Sequence, residues 1–551
     1  MDMKKILFIS ALLLAVLIAF AAAAEEAVPV DEAHFPDAKF REYVAENCDA
    51  DKNGILERNE IDDIYVISVS AMGIGDLTGV EHFGSLTWLY CDYNDLETLD
   101  VSRNTALILL QCSSNRLTGI DLSGNTGLET LYISGDPLTT LDVSSNTALT
   151  DLVCRDVPIT SIDLSKNTKL KQLILSGTKI TSVDLGKNTA LTQLGLDGCG
   201  IKTLDLKGNA RLKSLWCPNT LLTKLDLSGC AALEELNCSG NGFSALDVSA
   251  CPKLRYLNCE DNALTKLDLT KNPELTKLFC GRNSLTALDL SACAKLDELS
   301  CGGNRLTSLD LSAVKDLQML YVSCEGNTLT VTADGGLVYL NKLPGFDVSK
   351  AGGWPDSVSI KGSTLKVTKS VKIKYTYEYA AGRTAGFTLD IRVKKAALTK
   401  LTLSKTKMAY TGKVLTPKTT VKAKVGAKLV TLTKGTDYTV TYKNNVKAGT
   451  ATVTVRGKGG FKGTLTKTFT ITRVKLKTAA LSKTTMTWTG KALKPKVTVK
   501  AVVNGKTVTL KKGIDYTVKY VDNVKAGTAK VIVTGKGNFT GTITKTFRII
   551  K

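Results

Sequence analysis

Histidine is almost missing from this 551-residue chain: His34 and His82 are the only two. A serine or cysteine nucleophile further along therefore has no imidazole base at hand. G-x-S-x-G, H-E-x-x-H and a phosphate-cradling glycine loop leading into a helix are absent too. Carboxylate pairs suited to glycoside hydrolysis abound on spacing alone, but an arrangement repeated down a chain is structural far more often than catalytic. These absences point away from an enzyme. Long apolar runs are scarce as well. After Ile6 to Phe20 no stretch reaches the roughly 18 uncharged apolar residues that a membrane-spanning helix needs. The end, Phe547-Arg548-Ile549-Ile550-Lys551, carries no sorting signal with an apolar tail, so attachment to a cell is expected to be non-covalent or through a partner. Acidic residues nearly vanish from residues 396–551, which hold 33 Lys+Arg against 3 Asp+Glu, while the remainder carries a balance of −10.

What is present begins with a compartment signal. Lys4 and Lys5 precede the apolar run, and Ala21 to Ala24 offer small residues for cleavage before Glu25 and Glu26. This predicts a secretory signal peptide over 1–24 and an extracellular or cell-surface location.

From Leu86 the sequence repeats with a period of 21, and Leu86, Leu107, Leu128 and their successors to Leu317 open twelve units without a gap until the last. The unit reads L-x-x-L-x-C-x-x-N-x-L-x-x-L-D-L-S-x-N-x-x. One such turn cannot bury its own apolar edge and gains a core only by stacking on its neighbours, so the period predicts a solenoid. Two L-x-x-L segments per unit predict two short parallel strands per coil. Over residues 86–327 the pattern resembles the leucine-rich-repeat superfamily, specifically its irregular 21-residue bacterial class.

Fourteen cysteines in a secreted chain would ordinarily suggest disulfides. Eight of them (Cys91, Cys112, Cys154, Cys217, Cys238, Cys259, Cys280 and Cys301) instead fill one column that other units fill with Ile133, Leu175, Leu196 and Val322. A column that accepts either calls for a small buried hydrophobe, so free thiols are expected. A second column stacks eleven carboxylates from Asp100 to Asp310. It reads as a row of turn residues accepting backbone hydrogen bonds in preference to a ladder of bound calcium, because no Gly-x-Asp pair completes a cation cage.

In leucine-rich repeats the residues between the apolar positions of the first strand are exposed. The column four after each opening Leu contains Tyr90, Tyr132, Trp216, Phe279 and Tyr321, five aromatics among twelve positions in a chain only 6% aromatic. Trp88 and Tyr93 enlarge one end, and Arg155, Arg282, Glu235 and Glu298 add charge. Such a face suits recognition of a protein or glycan partner.

Ahead of the repeats, Asp49-Ala50-Asp51-Lys52-Asn53-Gly54-Ile55-Leu56-Glu57-Arg58-Asn59-Glu60 satisfies D-x-[DN]-x-[DN]-G-x5-E. Asp49, Asp51 and Asn53 would offer side-chain oxygens, Ile55 its carbonyl and Glu60 a bidentate carboxylate, with Gly54 making the sharp turn. This resembles a single EF-hand and predicts Ca²⁺ as a ligand. Two copies of one module close the chain at an offset of 78: Asp437-Tyr438-Thr439-Val440 matches Asp515-Tyr516-Thr517-Val518, and Ala448-Gly449-Thr450-Ala451 matches Ala526-Gly527-Thr528-Ala529. They look like bacterial immunoglobulin-like sandwiches.

The expected fold is therefore mainly β. A helical cap with the EF-hand-like loop (25–85) precedes the solenoid (86–327), followed by a β-rich cap (328–395) and immunoglobulin-like modules at 396–473 and 474–551. As architecture this resembles the internalin family of bacterial adhesins, although the 21-residue period departs from theirs. The resemblance implies a non-enzymatic surface protein that binds through the repeats. The alternative is a cell-envelope scaffold whose basic modules hold anionic wall polymer. Nucleic acid is not an expected partner, since the aromatics alternate with Val and Thr as core residues do.

Overall fold

The computed structural model describes residues 27–316 and 321–551, so the predicted signal peptide lies outside the described residues. The chain divides into two compact units. One comprises residues up to Leu329 with Leu343–Gly353 and Lys374–Thr388; the other comprises Thr330–Lys342, Trp354–Ile373 and Leu389–Lys551. Residues 328–395 are thus shared between them. Among the described residues no helix is long and apolar enough to cross a membrane.

In the first unit the 21-residue period becomes a stack of coils. Each coil lends one three-residue strand to a 13-stranded parallel sheet running in chain order from Val66–Ser68 to Tyr321–Ser323. The middle residue of a typical strand is the second Leu of the unit, and Leu89, Leu110 and Leu131 are fully buried. Pairing advances by one unit at a time, as in Trp88↔Leu109 and Lys277↔Glu298. The cap supplies a strand the repeat does not announce: Val66–Ser68 pairs with Trp88–Tyr90, with the buried Ile67 at its centre. Helix Ala38–Asn47 precedes it, started by the Asp37 carboxylate accepting from the Lys39 and Phe40 N–H groups, and buries Phe40 and Val44.

Two expectations need correction. The second apolar segment of each coil is not a strand. Coil-to-coil backbone bonds there are isolated, such as Arg116 N–H to the Leu96 carbonyl at 2.8 Å, and the rest of the backbone closes local turns, such as Leu107 N–H to Asn104 O at 3.1 Å. Asparagine side chains fill the gap. Asn125 Nδ2 donates to Val101 O (3.0 Å) and Asn104 O (2.9 Å), and Asn146 Nδ2 donates to Leu122 O (3.0 Å) and Asn125 O (2.8 Å). Each buried amide thereby bridges backbone carbonyls that a strand ladder would otherwise satisfy.

The final coil also departs from the period. Glu298 pairs with Tyr321 and Leu299 with Val322. The chain therefore arrives two residues late, Val322 occupies the leucine column, and Cys324, not Val322, enters the cysteine column. Asn327 Nδ2 confirms the shift by donating to Cys301 O (3.1 Å) and Cys324 O (2.8 Å), as Asn304 does to Cys280 O and Cys301 O.

All fourteen cysteines are buried, unbridged thiols. Burial pushes Cys217 and Cys259 up to about 12, which suppresses the reactive thiolate. The aspartate column makes turns. Asp100 accepts from Ser102 N–H at 2.9 Å, and the pattern recurs at Asp163 with Ser165 and at Asp289 with Ser291, both 2.9 Å. These N–H groups hold the carboxyls below their ordinary range.

In the second unit each C-terminal module is a pair of four-stranded sheets over one core. The first module joins Ala396–Leu403, Thr419–Val425, Lys428–Thr431 and Phe461–Lys462 in one sheet. Lys407–Ala409, Tyr438–Lys443, Gly449–Gly457 and Thr464–Thr472 form the other. Alternation places Val421, Ala423, Val453, Val455 and Phe469 inside. Val499, Ala501, Val531, Val533 and Phe547 repeat this 78 residues later.

Candidate binding face and calcium loop

The aromatic column lies on the outer face of the parallel sheet, because residues flanking each central Leu point away from the core. Trp88 is 46% exposed and Tyr321 65%, while Tyr90, Tyr132, Trp216 and Phe279 are half-buried between neighbouring side chains. The two-residue shift moves Tyr321 out of the expected column and into the one that begins each strand, beside Glu298.

One aromatic escaped the sequence reading. Tyr256 occupies the first strand position, the column of Trp88, Glu235 and Glu298, and not the third, the column of Tyr90 and Trp216. Its ring runs nearly parallel to that of Trp216, with centroids 5.8 Å apart, and meets Phe279 at 5.6 Å. Trp216, Tyr256 and Phe279 thus form a connected aromatic run that spans four coils, with the Glu235–Asn237 strand lying between Trp216 and Tyr256. Polar neighbours fix it: Trp216 Nε1 donates to Ser214 Oγ at 3.0 Å, and Ser214 Oγ donates to Glu235 Oε2 at 3.0 Å. Of the other charges, Arg282 is engaged by Asp261 (Nη2 to Oδ2, 2.6 Å) and Lys277 by Glu298 (3.0 Å).

The cap loop gathers three of its five expected ligands. Carboxylate oxygens of Asp49, Asp51 and Glu60 lie within 4.8 Å of one another. Gly54, at φ +84°, makes the turn, and its N–H donates to Asp49 Oδ2 at 2.8 Å. Ala50 N–H donates to Glu60 Oε1 at 2.8 Å. Asn53 borders the cluster, its Oδ1 accepting from Ile55 N–H (2.8 Å) and its Nδ2 donating to Asp51 and Glu57. Ile55 pairs with Pro29 in a two-stranded antiparallel sheet.

No protein-family model matches the chain. Over 71 residues, 13% of this chain and 8% of the relative, it is 35% identical to Internalin J of Listeria monocytogenes. The chain resembles the internalins. The matched segment is a small fraction of that curated relative's length. Among solved structures, the functional domain of internalin J from Listeria monocytogenes, described as including a cysteine ladder, is 25% identical at a TM-score of 0.43. It covers 67% of this chain and 99% of that one. An internalin, InlF, from the same species is 22% identical at a TM-score of 0.45, covering 54% and 98%.

Proposed function

We propose that this chain is a secreted or cell-surface, non-enzymatic binding protein of adhesin type, recognising a protein or glycan partner through the strand face of its repeats. The observation that carries the reading is the run Trp216–Tyr256–Phe279, on the same sheet face as the exposed Trp88 and Tyr321. Large aromatics held rigid on a β face supply contact area at little entropic loss, and a partner that covers them gains the hydrophobic term. The second reading, a scaffold on anionic wall polymer, is favoured by one feature of the basic modules. Lys400 and Lys422 stand directly opposite each other, an arrangement that an anion would relieve, and one of the three carboxylates, Asp437, is already paired with Lys366 at 2.7 Å.

One experiment separates them. Replacing Tyr90, Tyr132, Trp216, Phe279 and Tyr321 together with serine is expected to lower retention on target cells at least tenfold while leaving pelleting with isolated cell walls unchanged. Retention that survives the substitutions, or falls only when salt is raised, would assign binding to the lysines.

We further propose that the cap loop binds Ca²⁺ through Asp49, Asp51 and Glu60, with Asn53 and the Ile55 carbonyl completing the shell after Asn53 turns. A lone loop of this kind belongs to the weak, extracellular range of about 10⁻⁴–10⁻³ M. Millimolar Ca²⁺ should therefore raise the melting temperature of the wild type and not that of Glu60→Gln. Equal shifts in both would remove the site.

A further inference from the structure

We propose that a notch at Gly195, on the same strand face, is a subsite for one neutral hexopyranose residue of a glycan; the proposal rests on that face being the recognition surface. Gly195 sits in the column held elsewhere by Tyr132, Trp216 and Phe279. Its φ lies outside the left-handed region, so backbone conformation does not demand glycine there. A Cβ would meet Ile174 Cδ1 at 2.8 Å. Ile174 leans into the space a side chain would take, and beside it lies a pocket of about 350 Å³ bordered by Ile174, Trp216, Gln193, Asp197 and Arg155, among others. That is the lower end of small-ligand clefts.

The lining selects the class of ligand. Trp216 forms an aromatic wall whose indole is locked by the Ser214–Glu235 relay. Tyr256 supports it from two coils C-terminal, whereas Gly195 lies one coil N-terminal. An indole beside open space suits the flat C–H face of a sugar ring. Asp197 borders the notch: its Oδ2 accepts from Ser176 Oγ at 3.0 Å, and its Oδ1 is buried without a hydrogen-bond partner, so a ligand hydroxyl reaches it once the carboxylate turns toward the notch. A buried acceptor left unpaired is costly, and a hydroxyl donor would satisfy it. The charges around the notch are of mixed sign. Arg155 opposes a lysine or arginine side chain from a partner, while Asp197 and Glu235 oppose a sulfate or carboxylate. A neutral polyol meets neither repulsion and can both donate to Asp197 and accept from Arg155 and Gln193.

The test uses the full secreted chain and methyl glycosides of glucose, galactose, mannose and N-acetylglucosamine at millimolar concentration, read by saturation-transfer NMR. N-acetylarginine amide serves as a cationic probe. At least one glycoside is expected to bind, with the signal abolished by Gly195→Asn, which places in the notch the residue this column holds at Asn237 and Asn258, and weakened about tenfold by Asp197→Ala. Silence from all four sugars, sugar binding that survives Gly195→Asn, or binding of the arginine probe alone would each overturn the proposal. The two readings fail separately. If the sugars are silent but cell retention is still lost in the five-serine variant, the strand face remains the recognition surface; if retention is also unaffected, both fall.

Discussion

Replacing Asp136 with asparagine is expected to stabilise the solenoid at neutral pH and to erase a pH dependence of the wild-type protein. Asp136 stands where other coils place an amide. Asn115, one coil earlier, donates its Nδ2 to Cys91 O (3.0 Å) and Cys112 O (2.9 Å), whereas the Asp136 side chain is buried with Oδ2 lacking any partner. Its Oδ1 still accepts from Asn115 N–H (3.2 Å) and Leu117 N–H (3.0 Å). Burial dominates and pushes the carboxyl up to about 6 from 3.8. Between those values the folded chain holds a proton that the unfolded chain has released. The protonated form's contribution is therefore complete below about pH 4 and is lost as pH rises through 6. Two pH units correspond to a gap on the order of 3 kcal/mol at pH 7. Denaturant midpoints measured from pH 4 to 7 should show wild type and Asp136→Asn converging at the acid end and separating toward neutrality. Parallel curves would show that the carboxylate is solvated in the fold.

A loss of similar size is expected at the centre of the other amide ladder. Asn146→Ala removes the side-chain donor from two buried carbonyls, Leu122 O and Asn125 O, each of which keeps one backbone N–H, from Asn125 and Leu128 at 3.0 Å. With two hydrogen bonds lost at roughly 0.5–1.5 kcal/mol each, the substitution should destabilise the solenoid by about 1–3 kcal/mol. Asn146→Cys should cost clearly less, because Cys230, Cys251 and Cys293 occupy the equivalent position in other coils and are accommodated there, fully buried. Equilibrium unfolding of the two variants tests the order. Equal losses would mean that the lost amide bonds, and not the volume a thiol refills, set the cost.

The solenoid was legible because a period of 21 is a statement about stacking, which depends on side-chain repetition alone. The cysteine and aspartate columns followed for the same reason, since a position filled by Cys or Leu without distinction describes a buried hole. Strand content was overestimated because L-x-x-L reports apolar burial and not backbone pairing; asparagine amides can meet the carbonyls instead. Tyr321 was misplaced because the two extra residues fall before a strand, where no composition marks them, although the late Asn327 was the available signal. Tyr256 was missed by following a single column when two flank each central leucine. In the cap loop the spacing identified the three clustered carboxylates, but spacing cannot orient an amide, and Asn53 turns toward Ile55 and Asp51.

The asparagine ladder has a consequence for how such a gene can change. Coils that carry the asparagine present their predecessors with the same donors and their successors with the same carbonyls, so an in-frame duplication or excision of one such unit rejoins compatible neighbours. The reach of the protein can then be lengthened or shortened by recombination without redesigning a junction. A slip of one or two residues inside the series would rotate leucines outward, and among the described residues slips occur only at the ends of the sheet, between Val66 and Trp88 and between Glu298 and Tyr321.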